Sequence, residues 1–146
     1  MIKSKLLFVI AVLLVTFKIT SQEVLEKNYN TFPEFLTEQN LKISKINNGL
    51  NKLEVKEIMG PSIVVKVPKV GKMKPLNKMF KQPIYLNEYK SNPEKMINIF
   101  WYFSTPRDQD GVISKKECTP VIFENDNVVG YGWDFFNNYR RTTALR

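Results

Sequence analysis

Few side chains in this 146-residue chain could do chemistry, and their types argue against catalysis. Histidine is absent and Cys118 is the only cysteine, which excludes imidazole bases, disulfides within the chain and multi-cysteine zinc sites. Glu54 and Glu57 lie three residues apart among lysines, which is typical of a solvated helix face. Gly130 and Gly132 occupy a strand-like run without a following helix, so they do not predict a phosphate loop. We therefore predict a protein that is not an enzyme and uses no cofactor, metal or small-molecule substrate.

One loop carries acidic residues at a spacing that a calcium site would use. Residues 108–111 (DQDG) are similar to the start of a calcium-binding loop, but Thr119 stands where a bidentate acid is required. Aspartate and glycine are also ordinary turn residues. We therefore predict a surface loop at this position. Cys118 follows it at the start of a strand-like run, where we expect a semi-buried, inert thiol.

Aromatic side chains near the C-terminus are the best candidates for binding. Tyr131 and Trp133 are two residues apart in the last predicted strand, and this spacing places both on one face. Tyrosine and tryptophan are enriched among the residues that dominate the energy of protein interfaces. We predict Tyr131 and Trp133 as partner-binding residues, with strand addition as one mode if that strand is an edge. Packing of these rings in the core is the alternative.

Two short helices are predicted before the strands. Residues 40–48 place Leu41, Ile43 and Ile46 apart from the lysines between them, and Gly49 is a normal helix stop. The second helix is predicted over residues 51–59. Asn51 is its expected N-cap, and Gly60 with Pro61 ends it.

The remaining pattern predicts an antiparallel sheet. Residues 96–104 (MINIFWYFS) are apolar on both faces, which predicts a central strand covered on each side. Further strands are predicted over residues 62–70, 84–92, 119–123 and 128–133, with a hairpin turn at 124–127 and an irregular segment over 71–82. We predict an α+β fold in which two N-terminal helices pack on a three- to four-stranded antiparallel sheet as a two-layer sandwich.

The N-terminus has the pattern of an export signal. A lysine-containing start precedes twelve uncharged residues at 6–17 (LLFVIAVLLVTF), and Lys18 and Ile19, which stands where a small residue is preferred, then lead to Ser21. We predict a signal peptide over residues 1–21, cleaved between Ser21 and Gln22. A retained membrane anchor formed by residues 6–17 is the alternative, although a spanning helix needs about 20 apolar residues.

The rest of the chain divides into three predicted parts. Residues 22–39 are interpreted as a linker, since Pro33 disfavours a long helix. Residues 40–136 form the folded domain and 137–146 a basic tail. The net charge of +8 and the three tail arginines could favour peripheral contact with an anionic membrane. No nucleic-acid reading motif accompanies this charge, so we predict no nucleic-acid partner.

Two stretches resemble a known family. Residues 47–61 (NNGLNKLEVKEIMGP) resemble the helix–glycine–helix opening of the SmpA/OmlA (BamE-type) family, with Met59 where leucine is usual. The FWYF, DG, CTPVIFEN and VGYG segments between residues 100 and 132 are similar to an uncharacterised branch of related small envelope proteins. The chain departs from the pattern in lacking the lipid-bearing cysteine and in having Asp126 where the hairpin turn usually has glycine.

The resemblance implies a small envelope domain that binds other proteins. In the best-known members, that role is accessory to the assembly of outer-membrane proteins. We therefore expect an exported protein of the periplasm or cell envelope with a protein partner. A secreted, inhibitor-like binding module and a membrane-tethered structural protein are the alternatives.

Overall fold

The fold is α+β, which confirms the class predicted from the sequence. The computed structural model describes residues 32–67, 76–92, 94–105 and 112–143. Within them lie three α-helices and two antiparallel sheets, of two and four strands. The elements are α1 (Phe32–Ser44), α2 (Lys52–Met59), β1 (Ser62–Val67), β2 (Leu76–Lys81), β3 (Tyr85–Asn92), β4 (Lys95–Phe103), a 3₁₀ turn (Lys115–Glu117), β5 (Cys118–Glu124), β6 (Asn127–Tyr131) and α3 (Trp133–Thr143). The predicted signal peptide with its cleavage site at Ser21 and Gln22, and the 108–111 loop, lie outside the described residues.

Strand β4 lies inside the larger sheet, as its two apolar faces predict. The strand order is β3-β4-β5-β6, and the side chains of β4 alternate between two buried clusters. One cluster, which we call the α3 face, contains Ile97, Ile99, Trp101 and Phe103 of β4 together with Phe136 of α3. The other, the α2 face, contains Phe100 and Tyr102 of β4 together with Val55 and Met59 of α2. Helices therefore cover both faces of this sheet. The arrangement has three layers, with the sheet in the middle, and the predicted two-layer sandwich is wrong in this respect.

Helix α1 begins earlier than the sequence predicts. It starts at Phe32, so Pro33 occupies the first turn, where a missing N–H removes no helical hydrogen bond. Phe35 stacks on Phe103 with 5.3 Å between ring centroids, which fixes α1 to the sheet. Residues 32–39 are thus helical instead of a linker, and the helix ends at Ser44 rather than at residue 48.

Helix α2 has the N-cap predicted for it. The Asn51 side chain accepts hydrogen bonds from the backbone N–H groups of Leu53 and Glu54 at 2.9 and 3.0 Å. The Glu54 carboxylate accepts in return from the Asn51 N–H at 2.7 Å, which completes a capping box. Glu54 therefore has a structural role at the start of α2.

The C-terminal region differs from the prediction. The hairpin turn forms at Asn125 and Asp126, whose φ values of 44° and 73° are tolerated by these residue types. Strand β6 then ends at Tyr131, and Gly132 adopts a φ of 87° before α3 begins at Trp133. The strand predicted over 128–133 therefore ends at Tyr131, and residues 137–143 of the tail predicted over 137–146 belong to α3. Strand β2, which pairs with β1, replaces part of the predicted irregular segment.

Candidate protein-binding surface

The two predicted binding residues lie on opposite faces of the sheet. Tyr131 is in register with Val121, whose side chain belongs to the α2 face. Trp133 instead packs against Trp101 on the α3 face. The prediction that both rings share a face is wrong, because the positive φ of Gly132 redirects the chain before α3 starts. Each residue remains partly exposed, by 39% for Tyr131 and 37% for Trp133.

Trp133 is held in place while part of its ring faces solvent. Its indole N–H donates to the backbone carbonyl of Cys118 at 3.0 Å. Its ring centroid lies 5.4 Å from that of Trp101 and 5.7 Å from that of Phe136. An exposed aromatic ring with a fixed orientation loses little conformational freedom on binding, and such rings make good interface anchors.

Two cations flank this aromatic cluster. The Lys115 ammonium lies 5.2 Å from the Trp101 ring centroid, and the Arg140 guanidinium lies 5.9 Å from that of Phe136. Both Lys115 and the Trp101 indole donate to the same amide oxygen of Asn87, at 2.8 and 2.9 Å. We call Lys115, Trp133 and Arg140, together with the buried rings of Trp101 and Phe136 against which they lie, the Trp133 surface. This surface could bind a partner that presents an apolar side chain with acidic groups on either side of it.

Strand addition is less favourable at β6 than the sequence suggests. The Gly49 N–H donates to the Val128 carbonyl, and the Val128 N–H donates to the Leu50 carbonyl, both at 2.8 Å. Residues 49–51 thus cover part of the outer edge of β6. At the opposite edge of the sheet, β3 pairs with β4 and has no second strand beside it among the described residues. The sheet edge open to an added strand is therefore β3.

Comparison with known proteins places the chain in a family. A family model described as "Protein of unknown function (DUF3192)" matches residues 18–138. The chain belongs to the DUF3192 family. No curated protein and no solved structure matches it. The DUF3192 region includes α1 and most of α3, so it is longer than the predicted 40–136 domain. The SmpA/OmlA resemblance of this DUF3192 chain remains a prediction.

Two features are absent from the described part of the DUF3192 fold. None of its helices has the length and apolar character needed to cross a bilayer. Within the same residues, no three acidic, cysteine or histidine side chains converge as metal ligands.

The thiol of this DUF3192 protein is expected to be inert in the folded state. Cys118 is 1% exposed, and its Sγ lies 3.4 Å from the Ser114 carbonyl. Burial, aided by the charge of Glu117, raises the pKa of the Cys118 thiol to about 12. Because the thiolate is the reactive form, we expect labelling by a thiol reagent at pH 8 to be at least about 100-fold slower than in denaturant. Equal labelling rates of folded and denatured protein would contradict this placement.

A partly exposed ion pair is expected to make stability depend on pH. Lys95 Nζ lies 2.7 Å from Glu124 Oε1, and the Tyr139 hydroxyl donates to the same oxygen. Partial burial opposes ionisation, but the hydrogen bonds from Lys95 and Tyr139 outweigh it and lower the pKa of Glu124 below 4.5. A lowered folded-state pKa stabilises the fold above the unfolded value, and this contribution is lost as pH falls through the folded value.

We therefore expect Glu124→Gln to lower the melting temperature at pH 7 by a few degrees and to reduce its fall between pH 5 and pH 3. Melting curves of both proteins across this range test the expectation. An unchanged pH dependence in Glu124→Gln would show that other groups control it.

Proposed function

We propose that this DUF3192 chain is an exported, non-enzymatic domain of the cell envelope that binds other proteins. The observation that carries the proposal is the fixed, partly exposed Trp133 in the aromatic cluster that Lys115 and Arg140 flank. Its indole N–H is already bonded, so binding a partner requires no new polar contact from the ring. Burial of the exposed part of the ring supplies affinity, while the two cations favour a partner with acidic groups.

The sequence supports the cellular part of the proposal. The lysine-containing start and the twelve uncharged residues at 6–17 favour export. The SmpA/OmlA resemblance supports a narrower role as an accessory in outer-membrane protein assembly. Intact-mass measurement of the protein from membrane, periplasmic and medium fractions tests the location. A soluble chain beginning at Gln22 supports the proposal, and a full-length chain in the membrane pellet would favour the tethered alternative.

A crosslinking experiment tests the binding surface. A photoreactive amino acid is placed at Arg140, which lies over the Phe136 ring of the same cluster, and in a second protein at Leu53, which is 65% exposed on α2. We expect light-dependent adducts of defined mass from position 140 in the native host and none from the matched control at position 53. Adding Trp133→Leu to the position-140 protein should remove the adducts. Equal adducts at both positions, or adducts that survive Trp133→Leu, would contradict the proposal.

A further inference from the structure

The open edge strand β3 carries two opposite charges that form no ion pair among the described residues. Glu88 and Lys90 are both exposed, and each lacks an ionic partner in that part of the chain. They are two residues apart, so both side chains lie on the same face of the strand. This is the α2 face, because Leu86, two residues earlier, is in register with Phe100. The strand edge without a neighbour therefore has charges available for a partner.

The Glu88 carboxylate is held in place by the sheet. Asn98 lies directly opposite on β4 and is 1% exposed. In the amide orientation that satisfies both of its polar atoms, Asn98 donates to Glu88 Oε1 at 2.9 Å and accepts from Lys52 Nζ at 2.9 Å. This contact uses one carboxylate oxygen of Glu88. An exposed carboxylate that is already oriented loses little freedom when it forms an ion pair with a partner.

Backbone geometry restricts how β3 could pair with a second copy of itself. The outward N–H and C=O groups belong to alternate residues of an edge strand, so a symmetric antiparallel pair must centre on a residue. A centre at Glu88 or at Lys90 would place two like charges opposite each other, which is unfavourable. A centre at Asn87 would place Glu88 opposite Leu86. A centre at Tyr89 places Glu88 of each copy opposite Lys90 of the other, which forms two ion pairs.

The same features make β3 a poor edge for unrelated strands. Lysines and bulges on an edge discourage indiscriminate strand addition. Strand β3 has both, since a bulge lies between Lys90 and Asn92. A strand without an acid opposite Lys90 would leave that ammonium unpaired, whereas a second copy supplies Glu88 there. The bulge also keeps the regular part of the pairing short, so we expect a weak, reversible association.

We propose that two copies of this chain join through their β3 edges, antiparallel and centred on Tyr89. The two four-stranded sheets then form one continuous sheet, and the α2 faces of both copies lie on the same side of it. The two symmetric ion pairs between Glu88 and Lys90 fix the register. This goes beyond the proposed function, because it assigns a surface for self-association, and it holds or fails independently of Trp133.

Charge reversal tests the pairing in protein purified from its native host. Sedimentation velocity at low salt should show a reversible dimer of the unaltered chain. Glu88→Lys and Lys90→Glu should each weaken the dimer at least about tenfold, because each replaces both ion pairs with like-charge pairs. An equal mixture of the two variants should restore the dimer, since every lysine then faces a glutamate of the other copy. A variant that had only lost its fold would not be rescued in this way.

Three outcomes of this experiment would overturn the proposal. One is an unaltered chain that stays monomeric up to about 1 mM, which is too weak to be specific. Another is a dimer that persists in both single variants, which would assign self-association to a different surface. The third is a mixture of the two variants that stays monomeric, which would leave the β3 edge to an unlike strand.

Disulfide formation tests the register. A centre at Tyr89 brings the two Cα atoms of this residue within about 4.5–5.5 Å, which a disulfide can span. We therefore expect Tyr89→Cys to give a covalent dimer under mild oxidation. Leu86→Cys is the matched control, because the two copies of this residue would lie about 20 Å apart along the strands. The native Cys118 is buried and should not contribute. Linkage through Leu86→Cys without linkage through Tyr89→Cys would contradict the proposed register.

Discussion

Replacing Trp101 with alanine is expected to lower the free energy of unfolding by about 3–5 kcal/mol, the range for large aromatic residues in cores. The ring is 3% exposed and lies against Trp133 and Phe136, with centroid distances of 5.4 and 5.2 Å. Its indole N–H also donates to Asn87 at 2.9 Å, so the substitution removes a hydrogen bond as well as packing. Denaturant titration followed by circular dichroism measures the change.

Trp133→Ala is the matched comparison for this prediction. The same side chain is lost from the same cluster, but 37% of the Trp133 residue is already exposed. We expect a cost of only about 1–2 kcal/mol, because less apolar surface is returned to water. Equal losses for the two substitutions would show that Trp133 is a core residue and would remove the main support for the Trp133 surface.

Gly130→Ala is expected to destabilise the protein by about 2–3 kcal/mol through overpacking. A Cβ atom at this position would lie 2.5 Å from ring atoms of Phe135, which is closer than atoms can approach without displacement. The Phe135 ring stacks on Tyr139 with a centroid distance of 5.7 Å, which restricts its movement. There is therefore no room for a side chain at position 130 beneath α3. Thermal and denaturant unfolding of the Gly130→Ala protein measure the loss of stability.

A double-mutant cycle with Phe135→Ala tests the cause. If the ring is the obstacle, Gly130→Ala should cost about 1 kcal/mol or less once Phe135 is alanine, so the two effects will not add. An additive result would place the cause in the backbone of β6 instead of the contact with α3.

The elements that could be predicted are those whose residues suit one local structure. Strand β4 is apolar on both faces, and Asn125 and Asp126 suit a turn with positive φ. Helix α3 was missed because its sequence, WDFFNNYRRTT, contains two asparagines and two threonines, which are weak helix formers. It is stabilised by tertiary packing of Phe136 on Trp101, which no local pattern reports. The start of α1 was missed because Pro33 breaks a helix interior but fits a first turn.

The site was predicted only in part for the same reason. Trp133 could be selected as a candidate by its residue type. The face of the sheet on which its ring lies depends on the conformation of Gly132 and on where α3 begins. The burial of the Gln82 amide without a hydrogen-bond partner in the described structure could not be predicted either, because it is a property of the folded chain. Nothing in the local sequence distinguishes this glutamine from an exposed one.

The unequal edges of the larger sheet limit how copies of this protein could join. Residues 49–51 hydrogen-bond to Val128 and so occupy the β6 side, while β3 has no neighbouring strand on its outer side among the described residues. Growth into a fibre by strand addition requires two free edges on every molecule. Two copies joined through β3 would present only their covered β6 sides outwards. Extension of this sheet beyond a two-fold symmetric dimer would therefore have to displace residues 49–51 from Val128.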